Sequence, residues 1–433
     1  MSLLAIALCG AALVREGFPR PLRGAADWVF RVAAALALGV GTWSAAYAAW
    51  RMAFGPPGTS KDAILAVAGG AVLLRRRPPL GREPALDCAP RWLVACFVAA
   101  CAVAAASFVE HTLRFPDGGW DAWMIWNMRA RFFSRAADLA TAFSPQMSFF
   151  AHQDYPWLVP GAVAQLFAIF GEQRQVPAAL AALYGALGVA VVTAALAREQ
   201  GARWGLLGGL AVLTLPGYAV YAWTQQADVP LAVYLAVAIA LVTAARSPRE
   251  LLLGGFAAGL GMWTKNEGTL YAVCIAAALL VRTRDLRAVL AFAAGALPCA
   301  LLLVWFKVRY GVQTDLAAFS TEQSVLSHAM DLHRWGELVL YTLRRVFYFQ
   351  EAGPWVAAEL LVLAVFARRL PASVAGTALF LACATFGPLY VLQPHPLEWI
   401  FRTSAMRILI QLWPAAVVAT VAPLASLAKA GVD

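Results

Sequence analysis

Residues Trp157–Phe170, WLVPGAVAQLFAIF, decide how this chain is threaded through a membrane. The run is apolar but about 14 residues long, short of the roughly 17 to 25 that a crossing helix needs. If it crosses, Arg198, Arg203, Arg246 and Arg249 fall outside. If it is re-entrant or interfacial, those residues fall inside, together with Arg282, Arg284, Arg287, Arg368, Arg369 and Lys429. The second reading satisfies every later loop, because basic residues collect on the cytoplasmic side. It is the one adopted.

Composition sets the class. Hydrophobic residues make up 61% of the 433, and only 13% are charged, against about 25% charge in an average globular chain. This excludes a soluble domain and gives an all-α polytopic membrane protein. The net charge of +10 lies in short clusters between apolar runs, which reads as membrane orientation and excludes a nucleic-acid partner. Of the cysteines 9, 88, 96, 101, 274, 299 and 383, only Cys88 lies outside an apolar run, and none has metal-ligand spacing. They read as packing residues. The opening MSLLAIALCGAALVREG has no basic residue ahead of its apolar run, so it reads as a retained first span.

Outward from the deciding stretch, spans are expected near 2–14, 28–50, 62–74 and 92–108 before it. After it they are expected near 177–197, 203–223, 229–245, 250–264, 269–282, 287–306, 354–367, 372–392 and 406–427. That makes about thirteen transmembrane helices, with interfacial helices in two long outer loops, 109–175 and 307–353. Arg15, Arg20, Arg23, Arg75, Arg76, Arg77 and Arg82 mark the early inner loops. The Pro-rich stretch 75–90 divides an N-terminal transmembrane part, 1–90, from a core, 91–433. All five histidines, 111, 152, 328, 333 and 395, and most of the acids fall on the outer side, Asp117, Asp138, Glu172, Asp315, Glu322 and Asp331 among them. The polar chemistry therefore gathers on one face.

Four places carry candidate chemistry. Gly118–Arg135, GGWDAWMIWNMRARFFSR, sets Asp121 among tryptophans 120, 123 and 126 and an Arg-rich tail, the make-up of a helix lying on a membrane surface. Asp121 reads either as a helix cap or as a general base at the lipid–water boundary. Asp228, in WTQQADVPLA, either caps a span ahead of Pro230 or lines a cavity, because ionisable groups at membrane depth are costly. Thr264-Lys265-Asn266-Glu267-Gly268 interrupts a long apolar stretch; it is either a turn or a lysine placed for a phosphate. Gly254, Gly255, Gly259 and Gly261 before it read as helix packing. The last outer loop, Gln393–Ser404, brings Arg402, with Arg407 just beyond, as interfacial anchors or forked phosphate donors. His328 and His333 are spaced poorly for a shared metal and are assigned no site.

Taken in order, GWDAWMIWNMRARFF, HQDYPWLVP, ADVPLA, TKNEG and LEWIFRTSAMRILIQLWP resemble the GT-C superfamily of integral-membrane glycosyltransferases. The resemblance is to the branch of bacterial Rgt-like, aminoarabinose-transferase-like and protein-mannosyltransferase-like enzymes, and it runs from Trp92 to Pro423. It implies a polyprenyl-phosphate-linked sugar donor, a glycan, lipid or protein acceptor, and a site on the outer face of a bacterial inner membrane. It makes Asp121 the essential acid, Asp228 a second acid and Lys265 the cation facing the donor phosphate; the reading of the last loop adds Arg402 or Arg407 as further donor-phosphate cations. His152, Asp154, Tyr155 and Glu267 are candidate substrate-loop residues. The paired acids of the family's first loop are not reproduced, since Ala122 follows Asp121, which leaves a divalent metal open. The alternative function is a transporter or flippase of a lipid-linked or anionic substrate, with Asp228 and Lys265 as its midplane site.

Overall fold

The computed structural model describes residues 1–56, 58–75, 82–83, 88–147, 152–313, 322–347, 354, 356–358, 361 and 373–430. These are helical apart from turns, loops and a two-residue bridge between Leu22–Arg23 and Arg82–Glu83. Among them, six helices are long and apolar enough to cross a membrane: Gly24–Phe54, Arg91–Arg114, Gln175–Gln200, Leu286–Tyr310, Val374–Leu392 and the one beginning at Leu397. A bent pair makes a seventh. Six or seven of the about thirteen expected spans meet that length among the described residues, and several further apolar helices are shorter. Ser2–Gly17, Ser60–Leu74, Asp228–Thr243, Pro248–Thr264 and Glu267–Thr283 have 15 to 17 residues, or about 22–26 Å of helix against a ~30 Å hydrocarbon layer. Most of the expected span 354–367, along with Arg76, Arg77, Asp315, Arg368 and Arg369, lies outside the described residues.

Leu158–Phe170 is a helix of 13 residues. Its start is packed by Trp157 against Phe133 and Tyr310, and just past its end Glu172 pairs with Arg135. Phe133 and Arg135 belong to one short helix, Asn127–Arg135, so both ends of the segment lie against that helix, an arrangement compatible with the re-entrant or interfacial reading.

Two sequence expectations change in detail. The single span at 203–223 is two helices, Ala202–Leu213 and Pro216–Trp223, bent by 65°. Pro216 supplies no N–H and pushes Leu215 out of the helical region, to ψ 114°. At the far end of the chain, the final helix begins at Leu397 instead of 406. Glu398 and Arg402 are therefore helical, and the last loop shrinks to Gln393–Pro396.

Asp228–Thr243 is the centre of the bundle, buried at every position from Asp228 to Val242 and wrapped by Pro248–Thr264, Gln175–Gln200 and Leu397–Ala430. A helix apolar all round belongs inside. Small residues let its neighbours close: a Cβ on Gly255 would lie 1.9 Å from Phe292 O, and one on Gly295 1.9 Å from Leu252 O. The glycines of Pro248–Thr264 thus serve helix contact. Gly24–Phe54 is packed into the same bundle, accepting a hydrogen bond from Tyr234 at Ala37 O and donating from Tyr47 to Phe133 O.

The bundle has two polar ends. At one, Arg20 reaches Glu250 (2.7 Å) and Glu199 (3.1 Å), Arg31 reaches Asp27 (2.8 Å), and Arg198 lies 3.4 Å from Asp27. These pairs tie together the loops the sequence put on one side. The candidate residues meet away from these pairs, around the start of Asp228–Thr243.

Candidate active site

The Gly118–Arg135 stretch folds as a π-turn, Ala122–Trp126, running into Asn127–Arg135. Trp120 and Trp123 are about half exposed, whereas Trp126 is buried, so the aromatic face is split between surface and interior. Gly118 takes φ +76° and packs against the Thr224 carbonyl, which also accepts from the Gly119 amide at 3.0 Å. This turn anchors the acid-bearing segment on Thr224 and Gln225, ahead of Asp228. Gln225 accepts from Asn127 at 2.9 Å and donates to Pro116 O at 3.1 Å.

Asp121 precedes the π-turn but makes no capping hydrogen bond. Its Oδ2 lies 2.7 Å from Arg407 Nη2, on a helix that comes from the far end of the chain. Arg407 in turn sets Nε 3.4 Å from Asp228 Oδ2, an ion pair without a well-directed hydrogen bond. Asp228 Oδ1 accepts from Lys265 Nζ at 2.9 Å and Gln411 Nε2 at 2.5 Å. Lys265 also reaches Glu267 at 3.0 Å and sits 5.4 Å above the Tyr155 ring. Three carboxylates and two cations from four separate segments thus form one cluster. Asp228 is 0% exposed and Lys265 1%, while Asp121 and Glu267 keep 15% and 20%.

Tyr155 is stacked between Trp126 (5.3 Å) and His152 (5.2 Å). Burial, with Glu267 next, holds its phenol well above the ordinary value, so it stays protonated. Arg129, buried beneath the same loop, donates to the carbonyls of Tyr155 and His152 at 2.8 Å each. Its desolvation pulls it down to about 10, opposed by Asp154. Asn266 donates to Asp154 and accepts from Lys307 Nζ at 2.9 Å.

Of the residues the sequence nominated, Asp121, Asp228, Lys265, Glu267, Tyr155 and Arg407 therefore meet directly. Asp154 joins through Asn266, and His152 through its ring and carbonyl. Arg402 does not join. It is exposed, five positions before Arg407 and so about 140° round the helix from it. Gln411, Tyr271, Asn266 and Lys307 were missed. Gln411 had a signal: it is one turn beyond Arg407, polar within an apolar span, and it accepts from Tyr271 at 2.6 Å. Among the described residues, no three His, Cys, Asp or Glu side chains form a group able to hold a metal.

A surface cleft of ≈430 Å³, lined by Arg114, Phe115, Pro116, Asp117, Gly118 and Trp123, opens beside the Asp121 turn. A second, of ≈410 Å³, lies between His328–Tyr341 and Pro394–Glu398.

With this geometry in place, the middle of the chain finds a counterpart. Residues 154–306 match the profile of the dolichyl-phosphate-mannose-protein mannosyltransferase family, and this bears out the resemblance to GT-C glycosyltransferases carried by the motifs. The matched segment includes Asp154, Tyr155, Asp228, Lys265 and Glu267. Among solved structures, the chain is similar to ArnT from Cupriavidus metallidurans, a structure bound to undecaprenyl phosphate, with 20% identity and a TM-score of 0.47 over 76% of this chain. The chain spans 60% of that protein's length. No curated protein sequence matches the chain.

Proposed function

We propose that the protein is a GT-C glycosyltransferase that moves a sugar from a polyprenyl-phosphate donor to an acceptor hydroxyl, with inversion, at the outer face of the membrane. The family match supports the reaction class. The observation that carries the reading is the convergence of Asp121, Asp228, Lys265 and Arg407 from distant segments into one cluster beneath the aromatic surface turn.

In this reading Asp121 is the general base. One of its oxygens rests on Arg407, leaving the other to accept a proton. The acceptor hydroxyl gives its proton to Asp121 as its oxygen bonds to the anomeric carbon. The bond from that carbon to the phosphate oxygen breaks, and polyprenyl phosphate leaves with the electron pair. Asp228, fully buried, holds Lys265 and Arg407 in place instead of meeting substrate. Arg402, exposed and turned away, has no part in it.

The test is transfer of radiolabelled sugar from a panel of polyprenyl-phosphate sugars in proteoliposomes, comparing wild type with Asp121→Asn. Loss of the base predicts a fall of about 10²- to 10⁴-fold. Wild-type turnover in the variant sinks the assignment. Movement of intact lipid-linked sugar between leaflets without transfer makes the protein a flippase.

A further inference from the structure

The ion cluster does not by itself answer the charge of a departing phosphate. Lys265 is 1% exposed, with carboxylates at 2.9 and 3.0 Å, and Arg407 carries Asp121 and Asp228. With three acids set against two cations, an anion brought here meets repulsion before attraction.

Lys307 stands differently. It lies in the last turn of Leu286–Tyr310 and is partly buried. Its Nζ donates to the neutral Asn266 Oδ1 at 2.9 Å; no described carboxylate lies within ion-pair distance, and Asp154, beyond Asn266, acts on it only at longer range. A lysine that merely anchors a helix end turns its head outward to water. This one turns inward, to the residue next to Lys265. Asn266 carries the contact on to Asp154, whose neighbour Tyr155 lies against Lys265. Lys307 thus borders the cluster with a neutral amide, not a carboxylate, as its direct partner. An ammonium has three donors, and Asn266 occupies one.

We propose that Lys307 is the cation that receives the phosphate of the lipid-linked donor, while Lys265 is held permanently within the acid–base cluster. This rests on the donor reading above and reassigns its phosphate position. Polyprenyl phosphate docks with Lys307 at the edge of the Asp154–Asn266 contact, exchanging or sharing a neutral amide partner. The direct contact exchanged is with a neutral amide, unlike the carboxylate contacts of Lys265.

The experiment uses the full-length protein in nanodiscs, with undecaprenyl phosphate as probe and binding followed by native mass spectrometry. Lys307→Met keeps the aliphatic stem and removes the charge; Lys307→Arg keeps the charge; Arg309→Ala controls for an exposed neighbour. Loss of a hydrogen bond to a charged group predicts about 10- to 100-fold weaker binding in Lys307→Met. Lys307→Arg should stay within a few-fold of wild type, and Arg309→Ala should be unchanged. In turnover, Lys307→Met should raise the donor KM while kcat at saturating donor holds, with an unaltered thermal midpoint. Equal affinity of Lys307→Met and wild type overturns the inference. So does an equal loss of phosphatidylglycerol binding, which reports surface charge alone, or competition by inorganic phosphate at the potency of the lipid. Absence of undecaprenyl phosphate binding by the wild type refutes the donor reading itself, a result distinct from failure of Lys307 alone.

Discussion

Replacing Asp228 separates what the ion cluster does for stability from what it does for chemistry. The carboxylate is 0% exposed and engages Lys265 at 2.9 Å, Gln411 at 2.5 Å and Arg407 at 3.4 Å. Asp228→Asn keeps the shape and removes the charge, leaving Lys265 and Arg407 buried with reduced compensation. Breaking a buried pair from one side costs about 3–5 kcal/mol, because the remaining charge is stranded. Glu267 and Asp121 still hold one cation each, so the lower half of that range is expected. Lys265→Met should cost a similar amount. The double variant should recover part of the loss, since the stranded charge is gone, which gives a coupling energy of about 1–3 kcal/mol. Unfolding in mixed micelles titrated with SDS, followed by tryptophan fluorescence, reads all four corners of the cycle. Asp121→Asn, by contrast, removes one partly exposed contact and should shift stability by at most about 1 kcal/mol while abolishing transfer. If Asp228→Asn stays within about 0.5 kcal/mol of wild type, or if the two single losses simply add, the cluster is not the buried unit described.

Arg402→Ala should leave donor KM and turnover within twofold of wild type, because the residue is exposed and lies on another face of its helix from Arg407; a larger loss, measured in the same transfer assay, returns it to the site. Gly255→Ala should destabilise the fold by about 1–3 kcal/mol through overpacking, since its Cβ falls 1.9 Å from the Phe292 carbonyl. The SDS titration measures this, and a neutral result means the Pro248–Thr264 and Leu286–Tyr310 helices pack less closely than described.

Much of this was legible because membrane topology is a one-dimensional problem. A charge between apolar runs points to its side, and a 13-residue run too short to cross reads as re-entrant or interfacial once the later arginines are counted. The bend at Pro216 is legible too, since proline supplies no N–H and pushes the residue before it out of the helical region. Hydropathy alone does not separate a 16-residue buried helix from a crossing one, so the span count is the least legible part of the topology.

The sequence by itself determined the class: a helical membrane protein with Asp121, Asp228, Lys265 and Arg407 in an order that resembles a glycosyltransferase, its histidines and most of its acids reading to one side. Only the tertiary structure decided which of them touch. Arg407 lies far along the chain from both acids it holds, and no periodicity in a helix apolar on every face reveals which residue points at a partner. Rotation of each helix about its own axis is set by side-chain packing across the bundle. That packing brought Gln411 in with Arg407, left Arg402 outside, sealed Lys265 between two carboxylates, and gave Lys307 a neutral neighbour.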